Sequence, residues 1–230
     1  MNKGLEISKI QVTVTIVLFL MFSVTGATFA YFAVSAEDTN TITGNAATVN
    51  LTLDVNRVFP TSTSANTGVM VPQLSVSGSN SSPLSNALKS GCVDGNGNVV
   101  CQVYKIDIAN IGGSAVQVVD GFISFYGNTS LTTDVSVTMP SLRWKLISSI
   151  NINTPSSSVL GTDVDKVANF NDNVFADDIT LGTNDSETYY IIIWVNETTY
   201  DQPTDEGKSF YAKIGFNSSN GTGVTSTFVP

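Results

Sequence analysis

Between Ile10 and Ala36 the chain carries no charged side chain, and this run constrains the fold more than any other feature. Its centre, "VTVTIVLFLMFSVTGATFA", is long enough at about 1.5 Å per helical residue to cross about 30 Å of hydrocarbon. A helix packed on the core of a water-soluble domain would show polar positions at helical spacing, and none occur here. Residues 1–30 are therefore read as a hydrophobic helix, a signal or a membrane anchor, ahead of a separate domain over residues 31–230. Lys3 and Lys9 stand before the run, as basic residues do in a secretory signal. Thr28 and Ala30 supply the small residues that a peptidase needs before its cut, with Phe29 between them. Gly26 and Ala27 loosen the helix just upstream.

The rest of the chain reads as strands. "ATVNLTLDV" alternates Val49, Leu51, Leu53 and Val55 against Asn50, Thr52 and Asp54, the period of a half-buried strand. "VVCQVYKIDIANIGG" is a second strong strand, and "AVQVVDGFISFYG" is expected to pair with it across Gly112-Gly113. "DVSVTM" and "LRWKLIS" read as further strands broken by Pro140. Tyr189 to Val195 is the most apolar run and should be a central strand. Phe210, Ala212, Ile214 and Phe216 alternate in the last one. Residues 60–91 read as a long surface loop, with "PLSNAL" as one helical turn, and residues 151–178 as an acidic loop. No helical period of useful length follows residue 36. The predicted fold is all-β, an antiparallel sandwich or jelly roll of two packed sheets, preceded by the N-terminal hydrophobic helix.

Composition narrows the function. Charged residues make up only 13 % of the chain, while β-branched and turn-forming residues abound. The net charge is −9, and removing residues 1–30 takes Lys3, Lys9 and Glu6 and moves it to −10. Such a chain cannot neutralise a row of phosphates, so nucleic acid is not an expected partner. Histidine is absent, which removes the commonest general base and zinc ligand. No Ser-His-Asp set exists, and neither cysteine has a basic neighbour. No enzyme activity and no cofactor are expected.

"CVDGNGNVVC" is the most interpretable local feature. Its glycines suit a tight reversal, and the flanking residues run as two strands. Cys92 and Cys101 would then face each other and form a disulfide in an oxidising compartment. Asp94, Asn96 and Asn98 begin like a calcium loop, but Val99 and Lys105 stand where glycine and an acid are required. A second acidic group, Asp163, Asp165, Asp172, Asp177 and Asp178, reads as solvated loop charge, with a weak calcium site as the rival. Trp144 and Trp194 read as core. One member of each aromatic pair, Tyr189-Tyr190 and Phe210-Tyr211, is a candidate for exposure. Asn-X-Ser/Thr triplets, candidate glycosylation sites, occur at Asn50, Asn80, Asn128, Asn184, Asn196, Asn217 and Asn220.

"TGATFAYFAVSAEDTNTITGNAATVNLTLDV" resembles the start of the TasA and camelysin family, secreted proteins of bacterial biofilm matrices. Thr28-Phe29-Ala30, Tyr31-Phe32, the polar stretch Ser35 to Thr43, Gly44 and the strand from Val49 to Val55 carry the resemblance. It covers about thirty of the 230 residues. It implies export to the cell surface and cleavage after Ala30 by a signal peptidase, leaving Tyr31 as the new N-terminus. Camelysin-like members are described as metalloproteases, but a chain without histidine cannot build a His-Glu-x-x-His zinc site. The expected role is a structural subunit of an extracellular fibre that forms a homo-polymer. The cut would free "YFAVSAEDTNTITG", residues 31–44, which has no obvious place in its own sheet; its main chain would pair with a neighbouring subunit while Tyr31, Phe32 and Val34 fill pockets there. Two rivals remain. "NKGLEISKIQ" is similar to a prepilin signal cut after Gly4, with the helix kept as a filament core. Alternatively, a membrane-anchored adhesin would bind glycans through exposed aromatics.

Overall fold

A computed structural model describes residues 32–33, 42–46, 49–61, 69–74, 83–147, 165–171, 173–198, 202–219, 221 and 223–228. All lie within the unit Tyr31–Pro230; the hydrophobic segment, residues 1–30, lies outside the described residues. The strands are β1 (Phe32–Ala33), β2 (Ile42–Ala46), β3 (Val49–Phe59), β4 (Val69–Met70), β5 (Gln102–Asn110) and β6 (Val116–Tyr126). They continue with β7 (Leu142–Ile147), β8 (Lys166–Val167), β9 (Asn173–Leu181), β10 (Asp185–Val195), β11 (Tyr211–Ser218) and β12 (Gly223–Phe228). Among the described residues two short helices, α1 (Pro83–Lys89) and α2 (Val135–Thr138), interrupt them.

The strands form a six-stranded sheet in the order β2-β3-β5-β10-β7-β8 and a four-stranded sheet in the order β12-β11-β6-β9. A two-stranded ribbon joins β1 and β4. Every ladder within the two large sheets is antiparallel. The expected all-β sandwich is what the chain builds. β10 is central, as its apolar run requires: Ile191 to Val195 are buried on both faces between β5 and β7.

Rings meet across the two sheets. Tyr104 on β5 lies 4.2 Å from Phe228 on β12. Tyr189 on β10 lies 6.0 Å from Phe216 on β11, and Phe125 on β6 lies 6.2 Å from Trp144 on β7. Within the four-stranded sheet, Gly121 stands opposite Phe216 and Gly215 opposite Phe122. A Cβ at Gly121 would fall 2.7 Å from the Phe216 ring, and one at Gly215 only 2.5 Å from that of Phe122. Each phenylalanine thus lies over its partner's bare backbone, which fixes the register of β6 against β11.

A second apolar cluster covers part of the outer face of the six-stranded sheet. Leu84, Ala87 and Leu88 of α1 pack with Cys92, Val100, Cys101, Val103, Ile147, Ile192 and Trp194. The "PLSNAL" turn is therefore a lid on a core and not surface loop. Next to this cluster Lys145 on β7 is buried, its Nζ 3.4 Å from Asp165.

Three local expectations are corrected. β5 and β6 do not pair: β5 lies between β3 and β10, and β6 between β11 and β9. The turn after Asn110 carries the chain from one sheet to the other, and Asn110 holds it there. Its Nδ2 donates to the carbonyls of Ser114 at 2.8 Å and Gly182 at 3.0 Å. "DVSVTM" forms α2 rather than a strand, because the Asp134 carboxylate accepts the Ser136 N–H at 2.8 Å and caps the turn. The region read as an acidic loop contains β8 and the first six residues of the nine-residue strand β9.

Candidate assembly region

The pairing of β10 with β5 runs from Asp185, opposite Asn110, to Ile193, opposite Gln102, and so defines two ends of the sandwich. The disulfide hairpin, α1 and the β1–β4 ribbon gather at the end where β5 begins. The β9–β10 turn and the corner after Asn110 lie at the other.

At the first end the expected bond is present. Cys92 and Cys101 form a disulfide with Cα atoms 4.8 Å apart, and both residues are fully buried. The hairpin between them is closed by Val93 bridging Val99 and by the Val100 N–H donating to the Cys92 carbonyl at 2.9 Å. Gly97 takes φ +84°, a conformation that favours glycine. The Asp94 carboxylate organises this turn. It accepts from the Asn96 N–H at 2.9 Å, the Asn98 N–H at 2.8 Å and Asn98 Nδ2 at 3.0 Å. Burial pushes its carboxyl up, but these hydrogen bonds outweigh burial and hold it below the usual carboxylate range. Its oxygens are aimed at N–H groups, the opposite of what a calcium loop needs. In the second acidic group, Asp165 pairs with Lys145 while Asp177 and Asp178 lie on β9. Asp163 and Asp172 fall outside the described residues.

β4, like β8 and β12, is an element that the sequence reading missed. The Val71 N–H donates to the Val99 carbonyl at 2.7 Å, and the Gln73 N–H donates to the Val195 carbonyl at 2.8 Å. The Glu197 N–H returns to the Gln73 carbonyl at 3.0 Å. The segment from Val69 to Gln73 thus runs alongside the disulfide hairpin and the last residues of β10. Met70 is fully buried. On its remaining edge β4 pairs with β1, Phe32 opposite Met70 and Ala33 opposite Val69. The segment from residue 31 to residue 44, expected to have no place in its own sheet, therefore has two: Phe32 and Ala33 pair with β4, and Ile42 to Gly44, in β2, pair with β3. The only hint in the sequence was "VMV" between polar stretches, too short to read as a strand. Thr28, Ala30, Tyr31 and Val34 lie outside the described residues.

The candidate glycosylation sites divide by environment. Asn50 carries a buried Oδ1 without a hydrogen-bond partner. Asn128 closes its own loop, accepting from the Thr132 and Thr133 N–H groups and donating to Thr132 Oγ1. Asn196 donates through Nδ2 to the Glu197 carbonyl at 3.3 Å. Asn184 and Asn217 are exposed, and Asn80 and Asn220 lie outside the described residues. Of the aromatic pairs, Tyr189, Tyr190 and Tyr211 are half-buried and Phe210 is buried, so neither pair presents a fully exposed ring. Trp144 and Trp194 are buried, as expected of core residues.

No protein-family model matches the chain, and no curated protein matches it in sequence.

Proposed function

We propose that the protein is an exported structural subunit of an extracellular fibre or biofilm matrix, assembling with its own copies by exchange of the N-terminal strand. In this reading residues 1–30 deliver the chain to the membrane, cleavage after Ala30 frees Tyr31, and no catalysis is assigned to the fold. The observation that carries it is the ladder of β1 on β4. A ladder of two residues is a weak intramolecular contact, and the same hydrogen bonds form equally well when β1 comes from a neighbour. Exchange between copies then loses no pairing, and head-to-tail repetition of one such contact grows without closing. The buried Cys92–Cys101 bond supports an oxidising destination.

Sequencing the mature N-terminus by mass spectrometry separates the rivals: Tyr31 favours the fibre, Leu5 the pilin-like filament and Met1 a plain anchor. Deleting Tyr31 to Asp38 from the mature protein is expected to abolish fibres under the electron microscope while leaving a folded, disulfide-bonded monomer. Fibres at unchanged yield would overturn strand exchange.

A further inference from the structure

We propose that Asn184 is the site of an N-linked glycan on the exported protein; this rests on the export reading above. Seven triplets satisfy the sequence rule, and the fold separates the five whose asparagines are among the described residues. Transfer of a saccharide to asparagine requires a carboxamide nitrogen that a transferase can reach, and a hydroxyl two residues on that is free to be held. Asn50 fails because its carboxamide oxygen is buried, and Thr52 Oγ1 is turned toward the Ala109 carbonyl at 3.5 Å. Asn128 fails because both ends of its carboxamide hold the loop together. Asn196 has its nitrogen engaged, and the Thr198 side of the triplet is tied by the Thr198 N–H to Gln202 Oε1 at 3.4 Å. Asn217 is exposed, but its backbone is fixed on both sides between β6 and β12, opposite Asp120 and Gly223.

Asn184 differs on each count. It stands at the tip of the β9–β10 turn with φ +58°, and its side chain is exposed. No hydrogen bond engages its carboxamide among the described residues. The turn is held by its neighbour instead. The Asp185 N–H donates to the Gly182 carbonyl at 3.2 Å, Asp185 Oδ2 accepts the Gly182 N–H at 3.4 Å, and Asp185 Oδ1 accepts the Ser186 N–H at 3.0 Å. A left-handed turn by itself accounts for asparagine at this position, since asparagine tolerates positive φ better than most residues. It does not account for a free carboxamide followed two residues later by the exposed Ser186. Modifying Nδ2 would leave the bonds of the hairpin intact.

The donor class is a glycosyl polyprenyl phosphate, presented at the export membrane with its transferase. Asn184 Nδ2 forms a bond to the anomeric carbon of the saccharide as the bond from that carbon to the phosphate oxygen breaks. The polyprenyl phosphate leaves with the electron pair, and the proton lost from Nδ2 passes to a base of the transferase. The product is carried at the end of β10 remote from the β1–β4 ribbon, so it leaves the strand-exchange edge uncovered.

The test uses protein purified from its own source cells. Chymotryptic cleavage after Leu181 and Tyr189 isolates Asn184 from Asn196, and electron-transfer fragmentation locates any added mass. A saccharide mass is expected on Asn184, absent from N184Q and from Ser186→Ala, while peptides spanning Asn50 and Asn128 stay bare. A bare Asn184 in protein with Cys92 and Cys101 linked and a processed N-terminus would overturn the site while leaving export standing. Glycan on Asn50 or Asn128 with Asn184 bare would overturn the geometric ranking. Protein retained inside the cell with both thiols free would overturn export, and the site with it.

Discussion

Trp144 and Trp194 invite comparison because they are alike in every respect but one. Both are fully buried, and neither indole N–H has a hydrogen-bond partner. They sit on adjacent strands, Trp144 opposite Ile193 and Trp194 opposite Arg143, and so they point to opposite faces of the six-stranded sheet. Trp144 meets the second sheet, where Phe125 lies 6.2 Å away, and Lys166 Nζ of the adjacent strand β8 stands 4.7 Å from its ring centre. Trp194 meets α1 and the disulfide hairpin. A sheet has two faces, and a second sheet covers only one of them. The inner face is closed by residues distant in sequence, and the outer one by a compact local unit from Leu84 to Val103 with a covalent staple. Loss of the first lid should unfold the domain. Loss of the second should uncover one face.

The largest effect expected from this difference comes from Trp144→Ala, which opens a cavity between two fixed sheets at a cost of about 3–5 kcal/mol. That is a large part of what holds a domain of this size together, so chemical denaturation should show a global loss of stability. Trp194→Ala removes the same volume, but α1 is free to settle into the gap. Hydrogen exchange should then remain slow in β5 and β10 while α1 and the hairpin lose protection. Equal global destabilisation by both variants would break the comparison.

Next in size is the disulfide. Replacing Cys92 and Cys101 together by alanine releases a loop of nine-residue separation, worth about 2.5 kcal/mol in the chain-entropy model. The loss should appear as early exposure of Trp194, whose fluorescence would shift before the main unfolding transition. In a variant with Trp194→Phe, the early shift should disappear. A single cooperative transition in the alanine variant would show that the outer cluster is not a separate unit.

Asp94 gives the smallest effect. Its hydrogen bonds lower the folded carboxyl below the unfolded value near 3.9, so its contribution is present above that value and fades as pH falls through the lowered one. Asp94→Asn should flatten the acid limb of the hairpin's stability curve and leave stability near neutral pH little changed. An identical acid limb in both proteins would mean that other carboxylates dominate it.

Much of the inner core was legible in the sequence. Strict alternation in β3 and β11 and the apolar run of β10 each reflect burial on known faces, and burial is what patterning records. The disulfide was legible because its two residues and their turn are local. Strand partners were harder. β5 and β6 are consecutive and joined by glycines, yet the corner held by Asn110 sends them to different sheets, a choice made by packing. β9 was hidden because Phe175 is an extra residue at the irregularity facing Gly121 and Phe122 and because Asp177-Asp178 interrupts the alternation. β4 escaped because two residues make no pattern. Its importance comes from Val99 and Val195, far along the chain.

The same irregular β9 has a consequence for crowded solutions. It is one of the two edge strands of the four-stranded sheet, with Asp177 and Asp178 exposed and Asp178 at φ +48°. Two copies approaching along this edge would bring carboxylates together on a kinked backbone, so side-by-side growth into sheets or gels is resisted. Ions screen that repulsion over about 8 Å at physiological strength and over about 3 Å in molar salt. The barrier to lateral clumping is thus partly a property of the surrounding electrolyte: dilute water keeps neighbouring molecules apart, and brine lets them touch.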